Sequence, residues 1–312
     1  MSDGYVWFEG VPFPTKGFTP EVLREARESF VFKDEDVLIL TYPKSGTNWL
    51  IEIVCLVYSK GDPKWIQSVP IWERSPWVEA EYGYNALKDK EGPRLISTHL
   101  PIQLIPKSLF NSKAKVIYLI RNPRDVLMSG YFFYGVSSFA EKFESLEEYF
   151  EWFIKGNLPY GSWFDHTHGW MTMRGKENFL ILSYEELKQD TRSIIEICQF
   201  LGKKLEPEEL NSVLKNSSFQ VMKENKMSNY SLLQGQCLSK NGILLRKGKR
   251  QALPSKCIRI FRGHHDDNSR APTIGTRECL SFSTLIAHHP ENFLRVLIKK
   301  SLFIALMWAA GF

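Results

Sequence analysis

Apolar runs of strand length alternate with stretches of helical spacing through most of this chain. Val37-Leu38-Ile39-Leu40 is the first such run, and Asn48–Tyr58 reads as a helix that is apolar almost throughout, interrupted by Glu52. Arg94-Leu95-Ile96-Ser97-Thr98-His99, Lys115-Val116-Ile117-Tyr118-Leu119-Ile120-Arg121 and Asn178-Phe179-Leu180-Ile181-Leu182-Ser183 are further runs of the same kind. Helices are predicted around them. Pro20–Phe32 is one, with Pro20 suited to a first turn. Pro123 and Asp125 signal the start of another, which continues through Val126–Phe133. Ser145-Leu146-Glu147-Glu148 is a capping-box pattern for a helix to about Lys155, and Thr191–Leu201 and Pro207–Leu214 follow. Strands alternating with helices predict an α/β fold, a doubly wound parallel sheet flanked by helices, in a single domain without repeats or an internal linker.

In open parallel sheets, ligands bind outside the carboxyl ends of the strands. Lys44, His99, Arg121 and Tyr184 each fall at or directly after the end of a predicted strand, a convergence hard to assign to packing. Thr41-Tyr42-Pro43-Lys44-Ser45-Gly46-Thr47 joins the first of these strands to its helix. A loop in that position points several backbone N–H groups at one spot, and the helix dipole adds to their field. Lys44 can add a full charge, and Ser45 and Thr47 can donate hydroxyl hydrogen bonds, so the loop is a phosphate cradle. It is not the usual nucleoside-triphosphate cradle, which has two glycines with a Lys directly after the second. Here Lys44 precedes the only glycine, Gly46, and no convincing Mg²⁺-ligand motif accompanies it, which argues against a P-loop kinase. The bland alternative is a strand–helix turn with a solvated lysine. His99 likewise has two readings, a hydrogen-bonded structural histidine or, beside a phosphate loop, a general base.

Gly61–Glu91 is rich in Trp, Pro and Tyr and poor in periodicity, holding Trp65, Trp72, Trp77, Tyr82 and Tyr84. So much irregular aromatic chain reads as the wall of a binding pocket, against the alternative of aromatic core under a long loop. Pro12–Phe18 reads as an irregular apolar approach to the domain. His166-Thr167-His168 is not spaced for a helical metal site, and no metal is expected. With 43% hydrophobic residues in 312, a core is amply supplied. The five cysteines form no CxxC pair, and Cys55 and Cys198 sit in apolar helical runs as buried thiols. Met1–Gly10 carries Asp3 and Glu9 and has no apolar signal-peptide core, so a reducing cytosol is expected. The Asn216-Ser217-Ser218 and Asn229-Tyr230-Ser231 sequons are then chance matches. The net charge of +5 is unevenly spread: Ser239–Phe312 has thirteen Lys/Arg against four Asp/Glu, or +9, which leaves −4 for Met1–Leu238. A nucleic-acid surface over the domain is therefore not supported.

Thr41-Tyr42-Pro43-Lys44-Ser45-Gly46-Thr47-Asn48-Trp49 resembles the 5′-phosphosulfate-binding loop of the cytosolic sulfotransferases, and the chain from about Asp3 to Gly248 is most similar to their hydroxysteroid branch. The resemblance implies a P-loop-like sulfotransferase fold. It also implies transfer of a sulfuryl group from 3′-phosphoadenosine-5′-phosphosulfate (PAPS) to the hydroxyl of an apolar acceptor, a hydroxysteroid or bile-acid-like alcohol. On it, Lys44, Ser45, Gly46, Thr47, Asn48 and Trp49 belong to the cofactor site, with Trp49 and Tyr184 beside the adenine. Arg121 and Ser129 match the holders of the 3′-phosphate, Ser217 and Phe219 match later adenosine contacts, and Arg246, Lys247 and Gly248 match a second 3′-phosphate clamp. Sulfuryl transfer then assigns His99 as base for the acceptor hydroxyl, and Lys44 as the cation that neutralises charge on the leaving oxygen. Pro14, Phe18, Trp72, Trp77, Phe133, Phe139 and Tyr230 match apolar positions around the acceptor, while Tyr134-Gly135-Val136-Ser137-Ser138 departs from the bulkier residues of that branch.

The resemblance stops at Gly248. The Gly-Asp-Trp-Lys stretch that follows in the family, and its later Lys…Thr-Val…Glu dimer pattern, are replaced from Lys249 onwards by unrelated sequence. The expected organisation is a sulfotransferase domain over residues 1–248, with its core from about 34, and an atypical basic segment over 249–312. The family homodimer is in doubt. Ser301–Phe312, the uninterrupted apolar end, is too short to span a bilayer. A PAPS-binding but catalytically impaired variant is the alternative function.

Overall fold

The computed structural model describes residues 4–138, 142–236, 238, 239, 242 and 244–246. Phe139, Lys247, Gly248 and the segment 249–312 lie outside the described residues. The chain opens with β1 (Tyr5–Phe8) and β2 (Val11–Pro14), an antiparallel hairpin pairing Tyr5 with Pro14 and Phe8 with Val11. Its turn residues Glu9 and Gly10 have φ of 49° and 76°, the doubly positive geometry of a tight hairpin. This corrects the irregular reading of Pro12–Phe18. Proline can enter a strand where its missing N–H faces away from the ladder, and a two-stranded hairpin leaves such edges.

Next, α1 (Pro20–Ser29) has Thr19 as N-cap, its hydroxyl accepting from the Val22 N–H, and Pro20 in the first turn. Then β3 (Val37–Thr41) runs through the phosphate-loop candidate into α2 (Thr47–Tyr58). The aromatic stretch that follows is not irregular throughout: it folds into α3 (Lys64–Ser68), α4 (Ile71–Arg74) and α5 (Glu81–Lys88), each too short for a periodic signal. After β4 (Leu95–Thr98) and β5 (Lys115–Ile120) come α6 (Pro123–Val136) and α7 (Leu146–Lys155). Ser145 caps α7 through the Glu148 N–H, but Glu148 reaches back to the N–H of Glu144 and not to that of Ser145. The remaining elements are α8 (Trp163–Met171), β6 (Phe179–Ser183), α9 (Tyr184–Gln189), α10 (Arg192–Leu201), α11 (Pro207–Asn216) and α12 (Phe219–Glu224).

The four main strands form one parallel sheet in the order β4-β3-β5-β6. All five residues of β3 are buried, as suits a central strand covered on both faces. Side chains alternate between two apolar layers. Leu38, Leu40, Val116 and Tyr118 join one with α1, α5, α7 and α8, while Val37, Ile39, Ile117 and Leu119 join the other with α2, α10 and α11. Cys55 and Cys198 are buried free thiols of the second layer. No helix among the described residues is long and apolar enough to cross a membrane.

Glu52 is the one charge inside α2, and it is fully buried. Its Oε2 accepts from Arg74 Nη1 at 2.7 Å, and its Oε1 accepts from the Ser228 hydroxyl at 2.8 Å. Arg74 Nη2 donates to Ser228 Oγ at 3.0 Å, which closes the triad. Burial pushes the Glu52 carboxyl upward in pKa, and Arg74 and Ser228 hold it down against that. The triad fastens three chain segments, α2, α4 and the turn after α12, below the wall that carries Trp72 and Tyr230. Removing one partner of such a pair leaves a buried charge unpaired. Arg74→Met is therefore expected to lower unfolding stability by about 3–5 kcal/mol, read from urea denaturation, and Arg74→Met/Glu52→Gln by clearly less than the single change. A single-variant loss below about 1 kcal/mol would mean the pair holds nothing.

Candidate active site

Because β3 is flanked by β4 on one side and β5 on the other, their carboxyl ends present Thr41, His99 and Arg121 along one edge of the sheet. The loop from Tyr42 to Gly46 turns sharply there. Lys44 has φ 68° and Gly46 φ 109°, and Gly46 is the N-cap of α2 with no side chain to cap it. A Cβ at Gly46 would lie 2.7 Å from Tyr184 Cδ2 and 3.2 Å from Leu119 Cδ2, so the tight turn and the close approach both require glycine. The helix N-terminus is thus left open to an anion.

The loop's polar groups are unevenly used. The Thr47 hydroxyl is 2.7 Å from that of Thr41. Arg121 Nη1 donates to the Lys44 carbonyl at 3.0 Å, and its guanidinium lies 4.3 Å from the centroid of the Tyr184 ring. The Ser45 hydroxyl and Arg121 Nε are buried with no hydrogen-bond partner. Two donors without acceptors at the mouth of a helix N-terminus fit a phosphate group. The Lys44 ammonium stands 3.9 Å from the centroid of the Phe133 ring. Desolvation, with Arg121 nearby, pushes Lys44 down to about 7, and a bound anion acts in the opposite direction.

His99 stands across from this loop. Its Nδ1 is 2.6 Å from the Thr41 main-chain oxygen and 3.1 Å from the Thr41 hydroxyl. A carbonyl only accepts, so Nδ1 carries the proton and Nε2 keeps a free lone pair. Burial and the Lys44 charge push the imidazole down to about 3, so it is neutral near pH 7. Trp77 packs on it with ring centroids 4.4 Å apart, and Tyr160 edge-on at 5.1 Å.

A cavity of about 2490 Å³ runs from the loop past His99. Toward the loop it is bordered by Lys44, Gly46, Thr47, Asn48, Trp49, Arg121, Ser129, Tyr184, Ser217, Phe219 and Arg246. Trp49 and Tyr184 meet edge to face at 5.3 Å, and the Arg246 guanidinium lies 3.7 Å from the Phe132 ring centroid on α6. Ser217 is buried, and its hydroxyl donates to the Val213 carbonyl at 2.8 Å. Beyond His99 the cavity is bordered by Pro14, Phe18, Trp72, Trp77, Phe133 and Tyr230, with Trp72 and Tyr230 packed at 5.3 Å. Ser45 belongs to the loop itself and, being buried, does not line the cavity wall, though its unpartnered hydroxyl lies at the loop's turn into α2. Sequence reasoning missed Tyr160 and Phe132. Tyr160 has φ 71° and is carried in by a main-chain hydrogen bond to Pro12, a contact with no local signal. His166, read as bland, is a buried side chain 3.2 Å from the Tyr118 hydroxyl, and no metal-ligating cluster occurs among the described residues.

A parallel α/β sheet with an anion-binding strand–loop–helix at its edge, facing an imidazole across an aromatic-walled cavity, defines an enzyme that takes a group from a phosphate carrier. Comparison with known families matches residues 34–253 to the sulfotransferase domain. Sulfotransferase 2A1 of Homo sapiens is 70% identical over 249 residues, spanning 80% of this chain and 87% of that protein. The 3-beta-hydroxysteroid sulfotransferase of Cavia porcellus is 62% identical over the same lengths. Among solved structures, mouse sulfotransferase SULT7A1 complexed with PAP aligns with a TM-score of 0.62 at 31% identity, covering 71% of this chain and 76% of that one. Retinol dehydratase in complex with androsterone and PAP shares the fold, with a TM-score of 0.67 at 23% identity over 73% and 78% of the two chains. The chain belongs to the sulfotransferase family, in the hydroxysteroid branch of its cytosolic members, and is a PAPS-dependent sulfotransferase.

The Gly46 packing gives a direct check. Gly46→Ala strains a left-handed turn and drives a methyl into Tyr184, at about 1–3 kcal/mol. Affinity for PAP, the desulfated donor, is expected to fall about ten-fold or more in calorimetric titration. Unchanged affinity would show that the loop tolerates a side chain there.

Proposed function

We propose that this chain sulfates the hydroxyl of an apolar, rigid alcohol of the hydroxysteroid or bile-acid-like class, with His99 as general base and Lys44 as the cation at the leaving phosphate. One observation supports this most: the 2.6 Å bond between His99 Nδ1 and the Thr41 carbonyl, which leaves Nε2 unprotonated beside the cavity. PAPS, when bound, supplies a sulfuryl group activated on a phosphate. Ser45, the N–H groups at the start of α2 and Arg121 would hold phosphate oxygens, and Ser129 and Arg246 would add hydrogen bonds and charge on the α6 side. Lys247 and Gly248 belong to the same clamp in this reading. Trp49, Tyr184, Ser217 and Phe219 would flank the adenosine.

His99 Nε2 takes the proton of the acceptor hydroxyl as its oxygen attacks, which a neutral imidazole does and an imidazolium cannot. Lys44 would supply the positive charge facing the donor's phosphate, in a desolvated site where one cation counts for more than in water. Pro14, Phe18, Trp72, Trp77, Phe133 and Tyr230, with Phe139, would enclose the apolar body of the acceptor. Residues 1–248 carry this chemistry in our reading, and 249–312 form a separate basic segment. The replaced dimer pattern leads us to read the chain as a monomer, or as self-associating without a defined interface, in place of the family homodimer.

His99→Ala is expected to lower turnover of a 3β-hydroxysteroid by at least about 10²-fold while PAP affinity stays near wild type. Lys44→Met is expected to lower both turnover and PAP affinity. Single-turnover kinetics with radiolabelled PAPS, together with calorimetry, separate the two. Near-normal chemistry in His99→Ala would remove the base assignment. PAP binding by the wild-type chain without measurable transfer would identify a binding variant in place of an active enzyme.

A further inference from the structure

One buried titratable group next to the reacting residues has no part in the mechanism above. Glu79 is fully buried and lies in the turn between the Trp77 bridge and α5. Pro76–Val78 runs alongside β4 as a short parallel edge. The Ser97 N–H donates to the Pro76 carbonyl at 2.9 Å, and the Val78 N–H donates to the Ser97 carbonyl at 3.1 Å. At the next rung the chain has already turned, the Ala80 N–H closing on the Trp77 carbonyl at 3.2 Å, so no main-chain carbonyl is offered to His99. The Glu79 carboxylate takes its place: Oε1 accepts the His99 N–H at 2.8 Å.

We propose that Glu79 is a positioning residue for His99, its side chain supplying the rung that the sheet edge lacks and so setting where the imidazole stands. The contact is made to the main chain of the very residue whose ring is fixed from the other side by Thr41. With both contacts the His99 backbone and ring are held at two points, one on β3 and one on the acceptor wall beside Trp77. Without the second, the end of β4 is anchored only on the donor side. Among the described residues no Lys or Arg forms an ion pair with Glu79. Its Oε2 makes no hydrogen bond, and burial pushes the carboxyl up to about 7, offset only in part by the His99 N–H and the neighbouring Thr98 and Tyr160 hydroxyls. A buried carboxyl with one unsatisfied oxygen is a costly way to cap a strand. Its reach to His99 gives that cost a use.

The inference rests on His99 being the base, and two conservative variants of the full chain test it separately. Glu79→Gln keeps the reach and the accepting oxygen without the charge, and Glu79→Asp keeps the charge but shortens the reach by one methylene. We expect Glu79→Gln to stay within about three-fold of wild-type kcat and Glu79→Asp to lose about ten-fold or more, since a shift near 1 Å at a reacting group costs rate on that scale. Acceptor KM and calorimetric PAP affinity should stay near wild type in both. The ¹⁵N signals of the His99 ring, read without any ligand, should keep the single Nδ1–H pattern in Glu79→Gln and shift in Glu79→Asp. The reverse order of the two variants overturns the proposal. So do wild-type kcat in Glu79→Asp, and losses that merely follow thermal stability while the ring signals stay put. If His99→Ala keeps its turnover, the base assignment falls first; if His99→Ala is inactive and Glu79→Asp is normal, only the role of Glu79 falls.

Discussion

The site depends on one short hydrogen bond between adjacent strands, His99 Nδ1 to the Thr41 carbonyl at 2.6 Å. Thr41 ends the central strand and begins the phosphate loop, and His99 comes one residue after the end of β4, its neighbour. The bond therefore sets two things together: which imidazole nitrogen is basic, and how far that nitrogen stands from the loop. The Thr41 side chain extends the tie, since its hydroxyl meets both the Thr47 hydroxyl at the start of α2 and His99 Nδ1. His99, the central strand and the helix opened by the loop are thus one hydrogen-bonded unit. A parallel sheet is well suited to this, because its register places every strand's carboxyl end at the same edge.

How much of this was legible in the sequence follows from what kind of contact each residue makes. Strands mostly covered by helices read as continuous apolar runs, so β3, β4, β5 and β6 stood out, and with them Lys44, His99, Arg121 and Tyr184 at their ends. Pro20, Ser145 and Pro123 are local signals, and their helices began where those signals predicted. The hairpin β1–β2 was hidden by Pro12 and Pro14, whose usual meaning is a break. The helix α8 was hidden because two of its inward positions, His166 and Thr167, are polar and break the apolar stripe. Tyr160 and Glu79 carried no local signal, for each reaches His99 from far along the chain. Glu52 showed only as a charge interrupting an apolar helix. Its partners, Arg74 and Ser228, lie 22 and 176 residues away.

Under the proposed function, donor and acceptor sites are also joined through shared walls, which bears on how binding at one is felt at the other. Phe133 borders the acceptor side, yet its ring lies 3.9 Å from the Lys44 ammonium. One helix, α6, carries that ring together with Ser129 and with Phe132, the ring that meets Arg246. A ring that is at once acceptor wall and cation partner cannot move for a bulky acceptor without changing the surroundings of Lys44. On the opposite wall, the Arg74–Glu52–Ser228 triad ties α2 to the segment bearing Trp72. Both links run through α2 or the loop that opens it. Under the proposed function the strand–loop–helix is therefore the donor site and also the frame on which the acceptor pocket is hung. Acceptor shape is accordingly set by side chains such as Trp72, Trp77 and Phe133 on a frame whose geometry the phosphate loop has already determined.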